Sequence, residues 1–246
     1  MVTARIIGPG RAGGALALAL AARGWDMTEP LGRSDDPSGA AHDVDLVVIA
    51  TPDAVIADVA SKVKPVESTV VAHLAGSLGL DVLAPHARTA AIHPLASLAN
   101  PTVGARLLAD HCRFAVAGDP MAARIVADLG GTAFEVEDDD RAAYHAAATI
   151  ASNHLVALFG QLERVASSIG LPLDAFMNLA RASLDNVEAI GPVAALTGPV
   201  SRADWPTVRR HLAALEPDEK ALYEALAAAA LTLAHPTMSG QHPWRA

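Results

Sequence analysis

The stretch Ile6-Ile7-Gly8-Pro9-Gly10-Arg11-Ala12-Gly13-Gly14 follows an apolar run and opens a run rich in alanine and leucine. A G-x-G-x-x-G pattern carries meaning in this setting, where a strand leads through a tight turn into a helix. Gly8 lets the chain turn, Gly10 lets the backbone approach a pyrophosphate, and Gly13 lets the helix pack closely on the sheet. The residues from Gly8 to Gly13 therefore predict a dinucleotide-binding turn. The alternative is a glycine turn that serves packing alone.

The residues after the second predicted strand, Trp25 to Glu29, indicate which dinucleotide binds. Folds that prefer NAD place an acidic residue at the end of this strand, where it holds the ribose 2′-hydroxyl. The sequence reads Leu31-Gly32-Arg33-Ser34 instead, and an arginine beside a hydroxyl suits a 2′-phosphate. We therefore expect NADP rather than NAD, with Arg33 and Ser34 as contacts. Two aspartates follow directly and argue against this preference, and the alternative for Arg33 is a solvated loop position.

Apolar runs alternate with helical patterns as far as about residue 137, and only helical patterns follow from Asp138 onward. This alternation is typical of a doubly wound α/β fold with a mostly parallel sheet. We therefore predict a dinucleotide-binding Rossmann domain at residues 1–137. An all-α domain for substrate binding and dimerisation is predicted at residues 138–246, beginning with one long helix at about Arg141 to Ile169.

Several candidate residues follow directly after predicted strands. Thr51 and Pro52 come after the buried run Asp45 to Ala50, and they suit the N-cap and the first position of the next helix. His73 and His93 end the two strands that come next. Ligands of such sheets bind beyond the carboxyl ends of the strands. We therefore expect Thr51, Pro52 and His73 to lie near the cofactor, with His93 on the same side of the sheet.

A polar stripe marks the predicted long helix, whose segment Ala142 to Phe159 is otherwise mostly small and apolar. At about 100° per residue, His145, Thr149 and Ser152 fall on one face, and Asn153 lies at its edge. Polar groups that are buried without partners cost about 1–3 kcal/mol each. The stripe is therefore expected either to line a substrate cleft between the domains or to form hydrogen bonds between helices.

Seven short motifs, spread in order through the chain, carry a family resemblance. They are Gly8-Pro9-Gly10-Arg11-Ala12-Gly13, Ala50-Thr51-Pro52-Asp53, His73-Leu74-Ala75-Gly76, His93-Pro94, Tyr144-His145-Ala146-Ala147-Ala148, Ser152-Asn153 and Leu196-Thr197-Gly198-Pro199. With them the chain resembles the Rossmann-like proteins with a helical C-terminal domain of unassigned function. Those proteins are similar to pyrroline-carboxylate reductases, prephenate dehydrogenases and β-hydroxyacid dehydrogenases. The resemblance implies dimers through the helical domain, and the likeness of some members to ketopantoate reductases implies a keto-acid substrate.

One departure from the resembling families bears on the mechanism. The β-hydroxyacid dehydrogenases carry a lysine four residues before a helix asparagine. Asn153 fits that asparagine, but Thr149 stands at the place of the lysine. Another group must then supply the proton. His145 is the first candidate for the general acid and His93 the second, because an imidazole changes its charge near neutral pH.

The predicted reaction is the NADP-dependent reduction of the carbonyl group of a small keto acid. Ser152 and Asn153 would orient the carbonyl or a carboxylate through hydrogen bonds. Thr149 and Asn186 are predicted to contact the substrate, although Asn186 also fits an ordinary exposed position. An imine reductase of the pyrroline-carboxylate type is the alternative, because its substrate needs less proton donation. A non-catalytic NADP-binding sensor is the alternative of another class.

Composition narrows the setting in which the protein works. The net charge of −9 over 246 residues argues against a nucleic-acid partner. The single cysteine, Cys112, cannot form an internal disulfide, which fits a reducing compartment. The apolar runs Ala15 to Ala22 and Ala227 to Ala234 are too short to cross a bilayer, and no histidine or carboxylate pair has metal-ligand spacing. We therefore expect a cytoplasmic protein without metal or membrane contacts.

Overall fold

The computed structural model describes residues 1–245, which fall into two compact units. The first unit comprises Met1–Ser152, and the second begins at Asn153. The first unit holds the sheet, and the described part of the second is helical. This confirms the predicted α/β fold with a helical region after it. The predicted domain boundary at residue 137 follows the last strand closely and stays a prediction.

In the described part of the chain the sheet consists of seven strands: β1 Thr3–Ile7, β2 Asp26–Met27, β3 Leu46–Ile49, β4 Val70–His73, β5 Thr89–Pro94, β6 Arg113–Gly118 and β7 Thr132–Glu135. Their spatial order is β2-β1-β3-β4-β5-β6-β7. Neighbouring strands are parallel, except that β6 runs antiparallel to β5. The order reverses at β1, since β2 lies on one side of it and β3 on the other. Doubly wound sheets bind their ligands in the crevice at such a reversal.

Between residues 1 and 245 the α-helices are α1 Arg11–Ala22, α2 Ile56–Lys62, α3 Pro101–Leu108, α4 Met121–Leu129, α5 Arg141–Thr149, α6 Leu155–Ser168, α7 Asp174–Ala195, α8 Trp205–Ala214 and α9 Pro217–Ala234. The sequence patterns do not predict α3. It begins at Asn100, whose side chain accepts a hydrogen bond from the amide of Val103 at 2.9 Å, and Pro101 follows at its first position. Such an N-cap and proline are the ordinary signals for a helix start.

The core of the first unit lies on both faces of the sheet. In β3, Leu46 and Val48 belong to one apolar cluster, while Val47 and Ile49 belong to the other. All four side chains are fully buried. Alternating side chains of a strand point to opposite faces, so a parallel strand covered on both sides needs a continuous apolar run. This is why the strand could be recognised in the sequence.

The predicted single helix from Arg141 to Ile169 is interrupted. Helix α5 passes into a π-helical turn at Ile150–His154 before α6 begins. Hydrogen bonds in a π-helix join residues five apart, so the angular spacing of a straight α-helix does not extend past Thr149. The alignment of Ser152 and Asn153 with His145 on one helix face therefore stays a prediction.

The second unit packs around a small core formed by Val200, Val208, Ala227, Leu231 and Trp244. Helix α7 bends at Gly191, whose backbone φ of 78° and ψ of 162° are not helical. Every helix within residues 1–245 is too short or too polar to cross a membrane.

Candidate active site

A groove of about 730 Å³ lies beyond the carboxyl ends of β1 and β3, where the strand order reverses. Its lining includes Gly8, Pro9 and Gly10 after β1, Gly32 and Arg33 after β2, and Thr51 and Pro52 after β3. Most of the predicted cofactor contacts thus surround one groove. The lining does not include Arg11, Ala12, Gly13, Ser34 or His73.

The glycine turn has the geometry that the sequence predicts. Gly8 has a φ of 90°, a conformation that L side chains rarely adopt. A Cβ at Gly13 would lie 2.8 Å from the Cβ of Ala50, so only glycine fits between the helix and the sheet. A Cβ at Gly10, by contrast, would meet nothing within 4 Å. The protein's own packing therefore requires glycine at position 13 but leaves space beside position 10.

The N-terminus of α1 opens at this turn. Gly10 occupies the N-cap and has no side chain to accept a hydrogen bond from the first helical amides. The first N–H groups of a helix have no partner within the helix, and together with the helix dipole they favour an anion. Pro9, Gly10 and Arg11 are exposed. The turn therefore fits a pyrophosphate that approaches Gly10.

Two cationic side chains line the groove. Arg33, the residue predicted to contact a 2′-phosphate, is exposed. Lys62, at the end of α2, lines the same groove and forms an ion pair of 2.7 Å with Asp58. The amide of Lys64 donates to the carbonyl of Ser38 at 3.1 Å, which ties the end of α2 to the loop after β2. The positive charge of the lining therefore comes from two separate segments, and Asp35 and Asp58 add negative charge to the same lining.

Thr51 does not cap a helix, and the predicted N-cap was wrong. A short 3-10 helix at Asp53–Val55 precedes α2, with Pro52 at its N-cap and no capping side chain. The hydroxyl of Thr51 is buried and makes no hydrogen bond within the described residues. A buried hydroxyl without a partner is costly. Its position in the groove lining makes it a candidate contact for the cofactor.

His73, at the end of β4, holds a turn together. Its Nδ1 accepts a hydrogen bond from the amide of Ala75 at 3.1 Å, and its Nε2 lies 3.1 Å from the carbonyl of Gly79, to which it donates. The side chain is completely buried, and this burial lowers the pKa of His73. Both ring nitrogens are thus used inside the protein, so His73 shapes the loop beside the groove.

His93, on β5, pairs with Tyr144 on α5. The phenolic oxygen of Tyr144 lies 2.6 Å from Nδ1 of His93, and the rings meet edge to face. Burial is the main cause, and the neighbouring His145 the next, that lowers the pKa of His93 to about 4. Burial raises the pKa of Tyr144 to about 12. At neutral pH the phenol is therefore protonated and the imidazole uncharged. A phenol is a stronger hydrogen-bond donor than a neutral imidazole, so we assign Tyr144 as the donor to Nδ1, which places the ring hydrogen of His93 on Nε2.

His145 lies beside His93, with ring centroids 5.6 Å apart. Its Nδ1 is buried and has no hydrogen-bond partner within residues 1–245. Both imidazoles converge on Gly76: a Cβ there would lie 2.5 Å from Nδ1 of His145 and 3.0 Å from Nε2 of His93. Because Gly76 has no side chain, both imidazole rings can pack against the same backbone position. The two predicted general acids are brought together by β5, α5 and the turn after β4.

The other predicted substrate contacts lie farther along the chain. The hydroxyl of Ser152 donates to the carbonyl of Ala148 at 3.1 Å, the bond of a serine that folds back on its own helix. Thr149 is half-buried at the end of α5, and Asn153 is exposed in the π-helical turn. Asn186 is exposed on α7 in the second unit. Their roles toward a substrate stay predictions.

Sequence reasoning missed four residues that belong to the description of the site. Tyr144, Gly76, Lys62 and Arg141 were not among the predicted site residues. Tyr144 stood in the motif Tyr144-His145-Ala146-Ala147-Ala148, directly before His145, and this adjacency was the available signal. The pairing of Tyr144 with His93 and the convergence on Gly76 depend on contacts between distant segments, which no local pattern records.

Comparison with known proteins agrees with this architecture. Residues 33–98 match the model of a Rossmann-like domain, and residues 114–230 match a domain of unknown function (DUF2520). No curated protein sequence matches the chain.

Three solved structures illustrate the shared fold. A candidate NADP oxidoreductase from Bacteroides fragilis is 18% identical, with 94% of this chain and 98% of that one covered and a TM-score of 0.79. A reductive aminase from Aspergillus terreus is 16% identical, with coverages of 98% and 96% and a TM-score of 0.72. A pyrroline carboxylate reductase from Plasmodium falciparum, with NADP bound, is 13% identical, with coverages of 95% and 98% and a TM-score of 0.59.

At these identities the likeness establishes the fold, and it covers nearly the whole of each chain. It confirms the resemblance to Rossmann-like proteins with a helical C-terminal domain. Two family models thus match successive parts of the chain, first a Rossmann-like domain and then a domain of unknown function (DUF2520).

Proposed function

We propose that the protein is an NADP-dependent oxidoreductase that reduces a C=O or C=N bond of a small molecule. The observation that carries the proposal is the arrangement at one edge of the sheet. A groove with an open glycine turn lies beyond β1 and β3, and the His93–Tyr144 pair lies at the neighbouring strands β4 and β5. The hydroxyl of Ser77, after β4, donates to Asp53, after β3, at 3.2 Å and links the two regions.

The groove residues fit the parts of NADP one by one. The turn from Gly8 to Gly13 and the start of α1 suit the pyrophosphate, since space is open beside Gly10. Arg33 and Lys62 suit the 2′-phosphate, because phosphate oxygens form strong charge-assisted hydrogen bonds with such groups. The unpartnered hydroxyl of Thr51 offers a further contact. When bound, NADPH supplies the hydride.

The histidine cluster fits the second requirement of such a reduction, a donor for the negative charge that develops on the substrate oxygen. Tyr144 fixes the tautomer of His93, so that its Nε2–H points toward Gly76. An uncharged imidazole can donate this hydrogen bond without first taking up a proton. His145 is the second donor at the same point. Preorganised donors aimed at developing charge are among the strongest sources of rate acceleration.

Keto acids and cyclic imines are both candidate substrates. The lysine of the β-hydroxyacid dehydrogenases is replaced by Thr149, which suits a substrate that needs little proton donation. The names of the reductive aminase and of the pyrroline carboxylate reductase support an imine, whereas the sequence resemblance to ketopantoate reductases supports a keto acid.

The experiment that tests the proposal follows NADPH oxidation at 340 nm over a panel of 2-keto acids and cyclic imines. Turnover of either class supports a reductase and identifies the bond that is reduced. Tight NADPH binding without turnover of any panel member contradicts the catalytic proposal and supports the sensor.

We also propose that the second unit forms a homodimer. None of the 22 residues of α7 is buried. Leu179, Ile190 and Val193 expose 68%, 58% and 65% of their surface. Large contiguous apolar surfaces are uncommon on monomers and mark interaction sites. A second copy of the chain that covers α7 would remove this surface from water.

A further inference from the structure

Arg141 is a buried cation whose charge is only partly balanced. Its side chain is 2% exposed, and its Nε donates to the carboxylate of Asp138 at 2.8 Å. The two terminal nitrogens, Nη1 and Nη2, are buried and have no hydrogen-bond partner among residues 1–245. Burial of a charged group is expensive unless each polar atom is paired. Asp138 is largely exposed and satisfies only the inner nitrogen.

Arg141 lies beside the proposed reaction centre. It is the first residue of α5, and Tyr144 and His145 follow three and four residues later, on the same face of the helix. The positive charge of Arg141 acts on His73, His93 and Tyr144, and in each case it lowers the pKa. The guanidinium is therefore close to the pair that is proposed to act on the substrate.

We propose that Arg141 binds a carboxylate of the substrate, so that the substrate is a 2-keto acid or an imino acid rather than a neutral ketone or imine. This inference rests on the proposed function and narrows it to one chemical class. A guanidinium presents its N–H groups as a planar fork, and a carboxylate accepts two parallel hydrogen bonds from it. Nη1 and Nη2 are the two atoms that lack partners, and a carboxylate has the charge and geometry to satisfy both.

The enclosure of Arg141 has consequences for the strength of this contact. Both terminal nitrogens are shielded from solvent, so the surrounding side chains must shift before a carboxylate reaches them. An ion pair formed at that depth is weakly screened by dissolved salt. The affinity for a carboxylate ligand is therefore expected to change little between low and moderate ionic strength.

The test compares matched acidic and neutral ligands on protein saturated with NADP⁺. Calorimetry measures the affinity for L-proline against pyrrolidine and for pyruvate against acetone. Turnover is measured in parallel for 1-pyrroline-2-carboxylate against 2-methyl-1-pyrroline with NADPH. We expect at least one acid to bind about 10-fold or more tightly than its neutral partner in the wild-type protein. Equal affinity for acids and neutral partners, or no binding of any acid, contradicts the assignment.

Variants separate recognition from structural support. Arg141→Met should abolish the preference for the acid while leaving NADP⁺ affinity unchanged, and Arg141→Lys should keep part of that preference. Arg106→Met, at an exposed position on α3, is the matched control. If Arg141→Met weakens acidic and neutral ligands equally, Arg141 only supports the histidine cluster, and the inference is wrong. If Arg141→Met does not fold, the comparison of acidic and neutral ligands in the wild-type protein and in Arg141→Lys still tests whether Arg141 binds the carboxylate.

The NADP⁺ titration distinguishes the two levels of the proposal. Absence of NADP⁺ binding contradicts the proposed function, whether or not the acidic ligands bind. Binding of NADP⁺ without a preference for acids contradicts only the role of Arg141.

Discussion

The phenolic oxygen of Tyr144 lies 2.6 Å from Nδ1 of His93, although 51 positions separate the two residues in sequence. This hydrogen bond determines which ring nitrogen of His93 carries the hydrogen, and the second nitrogen lies beside Gly76 and His145. The relationship assigns distinct roles to three side chains. In the proposed reaction, Tyr144 would position the imidazole of His93, and His93 would donate a hydrogen bond to the substrate. His145 would be a second donor at the same point.

Replacement of Tyr144 by phenylalanine should lower kcat about 10-fold or more, because His93 loses the partner that fixes its tautomer.

His145→Ala should also lower kcat strongly, with little change in NADPH affinity. Steady-state kinetics on the substrate found in the panel, together with NADPH titration, measure both effects. Unchanged kcat in His145→Ala would remove that residue from the mechanism.

Folding stability should decrease as the pH falls from about 6.5 to about 4. The pKa of His93 is lowered to about 4 in the folded protein, below the ordinary histidine value near 6.5, so the unfolded chain binds more protons within this window. The stabilising contribution is present above pH 6.5 and is lost as the pH falls through 4. It amounts to roughly 3 kcal/mol. Burial of His73 acts in the same direction.

Urea unfolding at several pH values checks this dependence. His93→Gln should be less sensitive to acid than the wild-type protein, although the contribution of His73 remains. An identical pH slope in both proteins would show that His93 does not change its protonation on folding.

Two glycines of the same turn should respond differently to alanine. Gly13→Ala should lower the free energy of unfolding by about 1–3 kcal/mol, because the added methyl group would meet Ala50 in a closely packed contact. Gly10→Ala should leave stability nearly unchanged but weaken NADPH binding, since its Cβ would enter the open space proposed for the pyrophosphate. Thermal unfolding and calorimetry measure the two quantities. Full NADPH affinity in a folded Gly10→Ala would refute this placement of the phosphates.

The proposed dimer is tested by light scattering of the purified protein. We expect twice the mass of one chain, and Leu179→Glu should shift the mass toward the monomer because it places a charge in the apolar face of α7. Lys64→Glu, at an exposed position of the first unit, should leave the mass unchanged. A wild-type monomer at micromolar concentration contradicts the proposal.

Features that depend on neighbouring residues in the chain could be predicted from the sequence. The glycine turn and strand β3 could be predicted because a positive φ, close helix packing and two-sided burial each demand particular residues at fixed spacing. The same reasoning placed His73 and His93 at one edge of the sheet.

Features that depend on distant contacts or on a choice between local structures were not predicted. Thr51 and Pro52 suit a helix start, but a 3-10 helix displaces that start. The π-helical turn after Thr149 has no simple sequence signal. The burial of Arg141 could not be predicted from the sequence either, because arginine is ordinarily a surface residue.

The proposed function depends on the glycine turn as a site for NADP, with the cations of Arg33 and Lys62 selecting the phosphorylated form. Calorimetric titration of the purified protein with NADPH and with NADH tests this most directly. We predict one NADPH per chain, bound at least about 10-fold more tightly than NADH. Absence of binding for both dinucleotides would contradict the central claim.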